Sequence, residues 1–147
     1  MKIREFSERD IDEITSLMKK LCSIKGQEFD EERWRSNLEK HIKQDSNISA
    51  FVAFDKDMNQ VIGMAQCSVR NSDEGFRFGY ISNLIVKEEK RRVGIGEKLI
   101  RHIIDYFRKN HIQSIRLALK TRLDNGPHIL FKKLGFDEIF RVYELNI

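Results

Sequence analysis

Residues 81–107 constrain this chain more than any other stretch. They begin with the apolar run Ile81-Ser82-Asn83-Leu84-Ile85-Val86, pass through the charged turn Lys87-Glu88-Glu89-Lys90-Arg91-Arg92, and enter a helix through Val93-Gly94-Ile95-Gly96. Ile95, Leu99, Ile103, Ile104 and Phe107 then recur at helical spacing, so one face of that helix must lie on a core. The 81–86 run is apolar enough for a central strand covered on both faces. A buried strand, a glycine turn and a long amphipathic helix commit the chain to a mixed α/β architecture.

The flanking segments extend this pattern. Residues 2–6 alternate as a short strand, and Ser7 with Asp10 has the form of a capped helix start. Ile11, Ile14, Leu17, Met18 and Leu21 form one helical face, and Gly26 closes that helix or the loop after it. Asp30 caps a second helix with Trp34, Leu38 and Ile42 on its apolar side. Residues 48–54, 60–69 and 76–86 read as three strands joined by the turns at 55–59 and 71–75. After the long helix come a strand at 114–119, a short helix at about 126–134 closed by Gly135, and a last strand at 136–145. The predicted order is β-α-α-β-β-β-α-β-α-β in one domain, residues 1–147, with antiparallel hairpins leading into a β-α-β unit.

The glycine segment is built to meet an anion. A helix start leaves its first N–H groups unpaired and carries partial positive charge, glycines let a ligand come close, and Arg91 and Arg92 add two cations. A nucleotide-binding loop of the form GxxxxGK[ST] does not occur, and a GxGxxG fingerprint fails because Glu97-Lys98-Leu99 follows Gly96. A pyrophosphate loop of the form Arg/Gln-x-x-Gly-x-Gly/Ala fits residues 91–96 at every position. The alternative is that the glycines only ease a tight turn.

Two motifs carry a family resemblance. The run Ile81-Ser82-Asn83-Leu84-Ile85-Val86 followed by Arg91-Arg92-Val93-Gly94-Ile95-Gly96 looks like the central acetyl-CoA motif of the GNAT superfamily of N-acetyltransferases. The stretch His128-Ile129-Leu130-Phe131-Lys132-Lys133-Leu134-Gly135-Phe136 looks like that family's second motif, which usually ends Tyr-x-x-x-Gly-Phe. The resemblance covers roughly the C-terminal half; the N-terminal half agrees in the order of its elements. It implies a central, mostly antiparallel, splayed sheet flanked by about four helices.

The resemblance also implies a chemistry. Acetyl-CoA would be the co-substrate, with no metal, and a small-molecule or peptide primary amine would attack the thioester directly in a ternary complex. Main-chain groups of Leu84, Ile85 and Val86 would pair with the pantetheine arm, and the N–H of Leu84 or Ile85 would stabilise the oxyanion. The pyrophosphate would lie on Arg91, Arg92, Val93, Gly94, Ile95, Gly96 and Glu97. Asp124 or Asn125 falls where the family often has an Asn on the cofactor arm; the alternative is a helix N-cap. Phe131 occupies a cofactor-side position at which many members carry a Tyr acid, and Ser82 one at which many carry a Glu or Asp base. Phe donates no proton, and Ser82 can hold a water. Tyr143 or Tyr80 could serve as the acid, and a structural role is the alternative for each.

The stretch 22–34 is where acceptor contacts usually arise in the family. Its carboxylates Glu28, Asp30, Glu31 and Glu32, with Phe29 and Trp34, would suit a cationic amine; a solvated helix face is the alternative. The departures at Ser82 and Phe131 keep a second reading open, a CoA-binding regulatory or interaction module with little catalysis. Homodimers through sheet edges are common in the family, and a homodimer is a possible assembly here.

Composition narrows the rest. A net charge of +4, from 27 basic and 23 acidic residues, suits an anionic small ligand and does not argue for nucleic acid. Cys22 and Cys67 lack CxxC spacing and read as reduced core thiols, and the four histidines show no HExxH pattern. No apolar run approaches a membrane span, and Met1-Lys2-Ile3-Arg4-Glu5 meets charge at once, so a cytoplasmic location is expected.

Overall fold

The computed structural model describes residues 1–24, 26–44, 47–87, 94–118 and 126–147. Its elements are β1 (Lys2–Glu5), α1 (Ile11–Ile24, led in by a 3-10 turn at Glu8–Asp10), α2 (Glu31–Gln44), β2 (Ile48–Asp55), β3 (Gln60–Asn71), β4 (Arg77–Val86), α3 (Ile95–Lys109), β5 (Ile115–Leu117) and α4 (Gly126–Lys133). The strands form one sheet in the order β1-β2-β3-β4-β5. The first four are antiparallel neighbours, and β5 runs parallel to β4. This is the predicted mixed, mostly antiparallel sheet with its helices in the predicted order.

Side-chain alternation along the strands feeds two cores. On one face Val52, Met64 and Ile85 pack with Ile14, Leu17 and Leu21 of α1 and Leu38 of α2, and Trp34 joins them. The Ile42 side chain lies outside those described. On the other face Ala53, Ala65, Cys67 and Ile81 lie under Leu99, Ile103 and Phe107 of α3. The helical spacing read from the sequence is therefore the packing face of α3, and each such buried side chain stabilises the fold by about 1.5–3 kcal/mol. Gly79 is required by this packing: a Cβ there would lie 2.6 Å from the Phe107 ring.

An ion pair ties the first strand to the first helix. Both nitrogens of the Arg4 fork donate to Asp10 at 2.8 Å, and the Ser7 amide donates to Asp10 Oδ2 at 2.9 Å. Asp10 is only 2% exposed. Burial alone would raise its pKa, but the Arg4 and Ser7 hydrogen bonds outweigh that and hold the carboxyl below its ordinary value. Asp30 caps α2 as predicted, accepting the Arg33 amide at 3.1 Å.

The last predicted strand does not form. Residues 136–147 carry no strand, and Val142 and Tyr143 are exposed. Their β-branched and aromatic alternation meets the local requirement for a strand, but a strand also needs a ladder partner for its main chain. Beside this segment β5 is three residues long, against the predicted 114–119; Leu119 lies outside the described residues.

Two outcomes test this frame. Gly79→Ala should lower stability by about 1–3 kcal/mol, the usual cost of overpacking, and shift the urea midpoint without changing the slope. Asp10→Asn should cost about 3 kcal/mol at neutral pH, as expected for breaking one side of a buried pair. Because the folded pKa of Asp10 is depressed, its contribution is fully present above the ordinary carboxylate pKa and is lost as pH falls through the folded value. Native and variant stabilities should therefore converge in acid; a gap that stays constant from neutral pH into acid would refute the assignment.

Candidate functional site

The site is organised by an irregularity in β4. Gln66 of β3 stands opposite Asn83, yet the next residue, Cys67, stands opposite Ile81. Ser82 is the extra residue of a β-bulge. The bulge resets the phase of the strand, so that Ile81 and Leu84, three apart, both face the α3 core.

The same reset redirects the main chain. Gly79 N–H donates to Ser114 O of the β5 segment at 2.8 Å, so Gly79 and Ile81 face β5. Beyond the bulge, Lys87 N–H donates to Ile62 O of β3 at 2.8 Å. By the alternation of an antiparallel ladder, Asn83, Ile85 and Lys87 then face β3, and the N–H and C=O groups of Leu84 and Val86 face the β5 side. The carbonyl oxygen of Ile85 agrees: it lies 3.0 Å from where a Cβ on Gly63 would stand. The β4–β5 pairing ends at Ile81 and Leu117. Among the described residues nothing pairs with Leu84 and Val86 on that side; residues 119–125, which follow β5 in sequence, lie outside them.

The start of α3 stands over this open edge. Gly94 adopts φ 81°, the left-handed region that favours glycine, and no side chain among the described residues caps the helix. The first intrahelical bond runs from Lys98 N–H to Gly94 O at 3.0 Å, which leaves the N–H groups of Ile95, Gly96 and Glu97 without helical acceptors. A Cβ on Gly96 would meet Leu84 Cδ2 and Val86 Cγ2 at 3.9 Å, an ordinary contact. The fold thus needs glycine at 94 and tolerates a methyl at 96. A helix start with N–H groups lacking helical acceptors adjoins a strand edge with no partner among the described residues, which suits a ligand with a phosphate at one end and an amide-bearing arm at the other.

The remaining predicted residues separate. Arg91, Arg92, Val93, Asp124 and Asn125 lie outside the described residues. The Glu97 side chain accepts from Lys133 at 2.9 Å and Arg101 at 3.2 Å, tying α3 to α4, and these partners hold its carboxyl below its ordinary pKa. Only its backbone N–H is offered to a ligand. Phe131 is 6% exposed and meets Phe136 edge-on at 5.6 Å, so its ring belongs to the core. Ser82 is exposed, and its hydroxyl donates to Gln66 O at 3.3 Å. Tyr143 is 86% exposed, in the segment after α4. Tyr80 lies beneath the Arg70 guanidinium, whose carbon is 3.9 Å from the ring centre.

Two of the four carboxylates of the 22–34 stretch are engaged as helix chemistry. Asp30 is a cap, and Glu31 pairs with Arg35 at 3.3 Å; Glu28 and Glu32 are exposed. What sequence reasoning missed is a polar strip on the α1/α2 face of the sheet, where Asn83 Nδ2 donates to Gln66 Oε1 at 2.7 Å. Its signal was present as the alternation Gln66, Ser68, Arg70 along β3. Among the described residues no group of three or more His, Cys, Asp or Glu is placed to hold a metal, and no helix is long and apolar enough to cross a membrane.

Both cysteines are free and buried, and burial pushes the Cys67 thiol up to about 12. Thiol-selective alkylation of the native protein at pH 8 should therefore leave Cys67 unlabelled until denaturant is added. Labelling of Cys67 at the rate of a free thiol would show that it is accessible after all.

Comparison with known proteins agrees with this geometry. The family model described as Acetyltransferase (GNAT) family matches residues 12–136. Similar solved structures include a probable acetyltransferase with 22% identity and TM-score 0.83, the alignment covering 100% of this chain and 98% of that one. The tetramutant of the BH1408 protein from Bacillus halodurans is similar at 19% identity and TM-score 0.85, over 100% of both chains. The aminoglycoside antibiotic 6'-N-acetyltransferase AAC(6')-IG from Acinetobacter haemolyticus is similar at 18% identity and TM-score 0.80, over 100% of this chain and 98% of that one. Identities this low speak to the fold alone. No curated protein matches the sequence.

Proposed function

The chain belongs to the acetyltransferase (GNAT) family, and from that premise we propose that it transfers an acetyl group from acetyl-CoA to a primary amine by direct attack in a ternary complex. Acyl transfer follows from the family; the donor, the acceptor class and the order of events are the proposal. The observation that carries it is the main-chain edge of Leu84 and Val86, which has no partner among the described residues, beneath the left-handed glycine entry of α3. These residues fit the donor: the edge offers N–H and C=O groups to the amides of the pantetheine arm, and the helix start offers N–H groups to the pyrophosphate. Arg91 and Arg92 precede that helix start in sequence and would add charge to the same phosphates.

Bound there, the thioester supplies an activated acetyl group. The Leu84 N–H faces the open side and would hold negative charge on the carbonyl oxygen as the amine attacks; Ile85, turned toward β3, is the weaker choice. The exposed Ser82 hydroxyl donates its hydrogen bond to Gln66 O, which leaves its lone pairs to hold a water that carries away the ammonium proton. Phe131 offers no acid, and none is essential: a thiol ionises near pH 8.5, so the thiolate is a tolerable leaving group. Tyr143, surrounded by solvent, is not part of this mechanism.

Calorimetry with acetyl-CoA tests the donor. Arg91→Ala and Gly94→Glu should each weaken binding by about tenfold or more, in line with the loss of a charge-assisted contact. Gly96→Ala is the control, since the motif accepts alanine there. It should leave stability unchanged or raise it by up to about 1 kcal/mol, as alanine replaces glycine in a helix, with acetyl-CoA affinity close to native. Native affinity in both Arg91→Ala and Gly94→Glu would sink the anion-site account, and the absence of thiol release with every amine of a broad panel would sink the transfer reaction.

A further inference from the structure

The polar strip beside the bulge has no role in holding the donor. On β3, Gln66, Ser68 and Arg70 share one face; on β4, Asn83, Tyr80 and Phe78 stand opposite them in that order. Across β4, Arg116 of β5 is in register with Tyr80. Its neighbours Ile115 and Leu117 pack toward α3, so Arg116 shares the face of the strip. The strip starts next to Leu84 and ends between two arginines.

Both guanidiniums lie on aromatic rings. The Arg70 guanidinium carbon is 3.9 Å from the Tyr80 ring centre, and that of Arg116 is 4.2 Å from the Phe78 ring centre. Arg70 is drawn back along its strand, its Nε donating to Ser68 Oγ at 3.2 Å. The two cations thus approach the β4 aromatic pair from opposite sides. Stacking and the Ser68 bond fix the Arg70 plane, and its terminal N–H fork has no partner among the described residues. Arg116 Nε is buried and has no hydrogen-bond partner among the described residues. Neither arginine makes a salt bridge there, whereas Arg4, Arg35, Arg101 and Arg108 all do. Glu74 is held below its ordinary pKa by its own amide first, then by Ser72, with a smaller contribution from Arg116. Two arginines with no ion pair among the described residues suit an anionic group.

We propose that the acyl acceptor carries a carboxylate in addition to its amine, and that Arg70 and Arg116 clamp that carboxylate while the amine reaches Leu84. The proposal rests on the reading that Leu84 marks the transfer centre. The spacing sets the acceptor's length. Leu84 stands opposite Ala65, three residues or roughly 10 Å along β3 from Ser68, the rung of Tyr80 to which Arg70 is drawn back. Less the reach of the Arg70 fork toward its ligand, an amine and a carboxylate across that span belong to a long amino acid acetylated on its side-chain amine, or to a short peptide acetylated at its N-terminus.

The test pairs each carboxylated amine with its counterpart lacking the carboxylate: lysine with cadaverine, ornithine with putrescine, a dipeptide with its C-terminal amide. Thiol release from acetyl-CoA gives KM and kcat, and calorimetry in the presence of CoA gives acceptor affinity without turnover. At least one carboxylated member should show a KM about tenfold or more below its partner's, the scale of one charge-assisted pair. Arg70→Gln, at an exposed position, should erase that advantage while leaving the KM of the counterpart and of acetyl-CoA unchanged. Arg70→Lys, which keeps the charge and loses the fork, should restore part of it. Equal KM within every pair, or an Arg70→Gln loss that falls equally on both members, would overturn the clamp. Arg70-dependent binding of a carboxylated amine with no thiol release would uphold the clamp and defeat the transfer reaction. Neither binding nor release with any carboxylated amine would overturn the clamp.

Discussion

The extra residue at Ser82 is the constraint on which the rest of the site depends. Before it, the main-chain groups of Gly79 and Ile81 are committed to β5; after it, the groups turned to that side belong to Leu84 and Val86. A regular strand would keep the same parity to its end and turn Ile85 outward. It would also bring Leu84 round to the α1/α2 face and out of contact with α3. One inserted residue therefore sets both which N–H groups line the open edge and which side chains hold α3 over it. The polar strip on the opposite face also depends on the bulge, because the reset brings Asn83 round to meet Gln66.

The helix above this edge is fixed from three directions. Its middle is held by Ile103 and Phe107, which can approach β4 closely because residue 79 is glycine. Its first turn is tied to α4 by Glu97 and Lys133. Its entry is set by the left-handed turn at Gly94. The free N–H groups at its start are thus held by packing well outside the site, and little ordering remains for a ligand to impose.

The fold was legible where periodicity is enforced by burial. The faces of α1 and α3 follow from helical spacing, because each buries one side only, while the central strands, buried on both faces, show as apolar runs bounded by turns. The predicted strand at 136–145 failed because alternation records a residue's preference for a pleated surface and says nothing about whether a partner edge exists. The glycine loop was legible as an anion site from the chemistry of helix starts. The bulge was not, since Ser82 differs in no local way from an ordinary polar residue in a strand; it becomes visible only through its register with Gln66 and Cys67. Glu97 and Phe131 show the same limit. Motif position places both near the donor, yet their side chains are occupied by Lys133 and Arg101 in one case and by the core in the other.

An open edge made of peptide groups leaves little trace in the letters of a sequence. Any residue at 84 or 86 supplies the same N–H and C=O, so those positions are free to drift among apolar side chains that satisfy the core. The chemistry of the edge is then transmitted by shape: by the bulge and the placement of a helix end. Chains only 18–22% identical to this one share its fold with TM-scores of 0.80–0.85 over nearly their whole length. The information such a fold must preserve is the register of its strands far more than the identity of the residues along them.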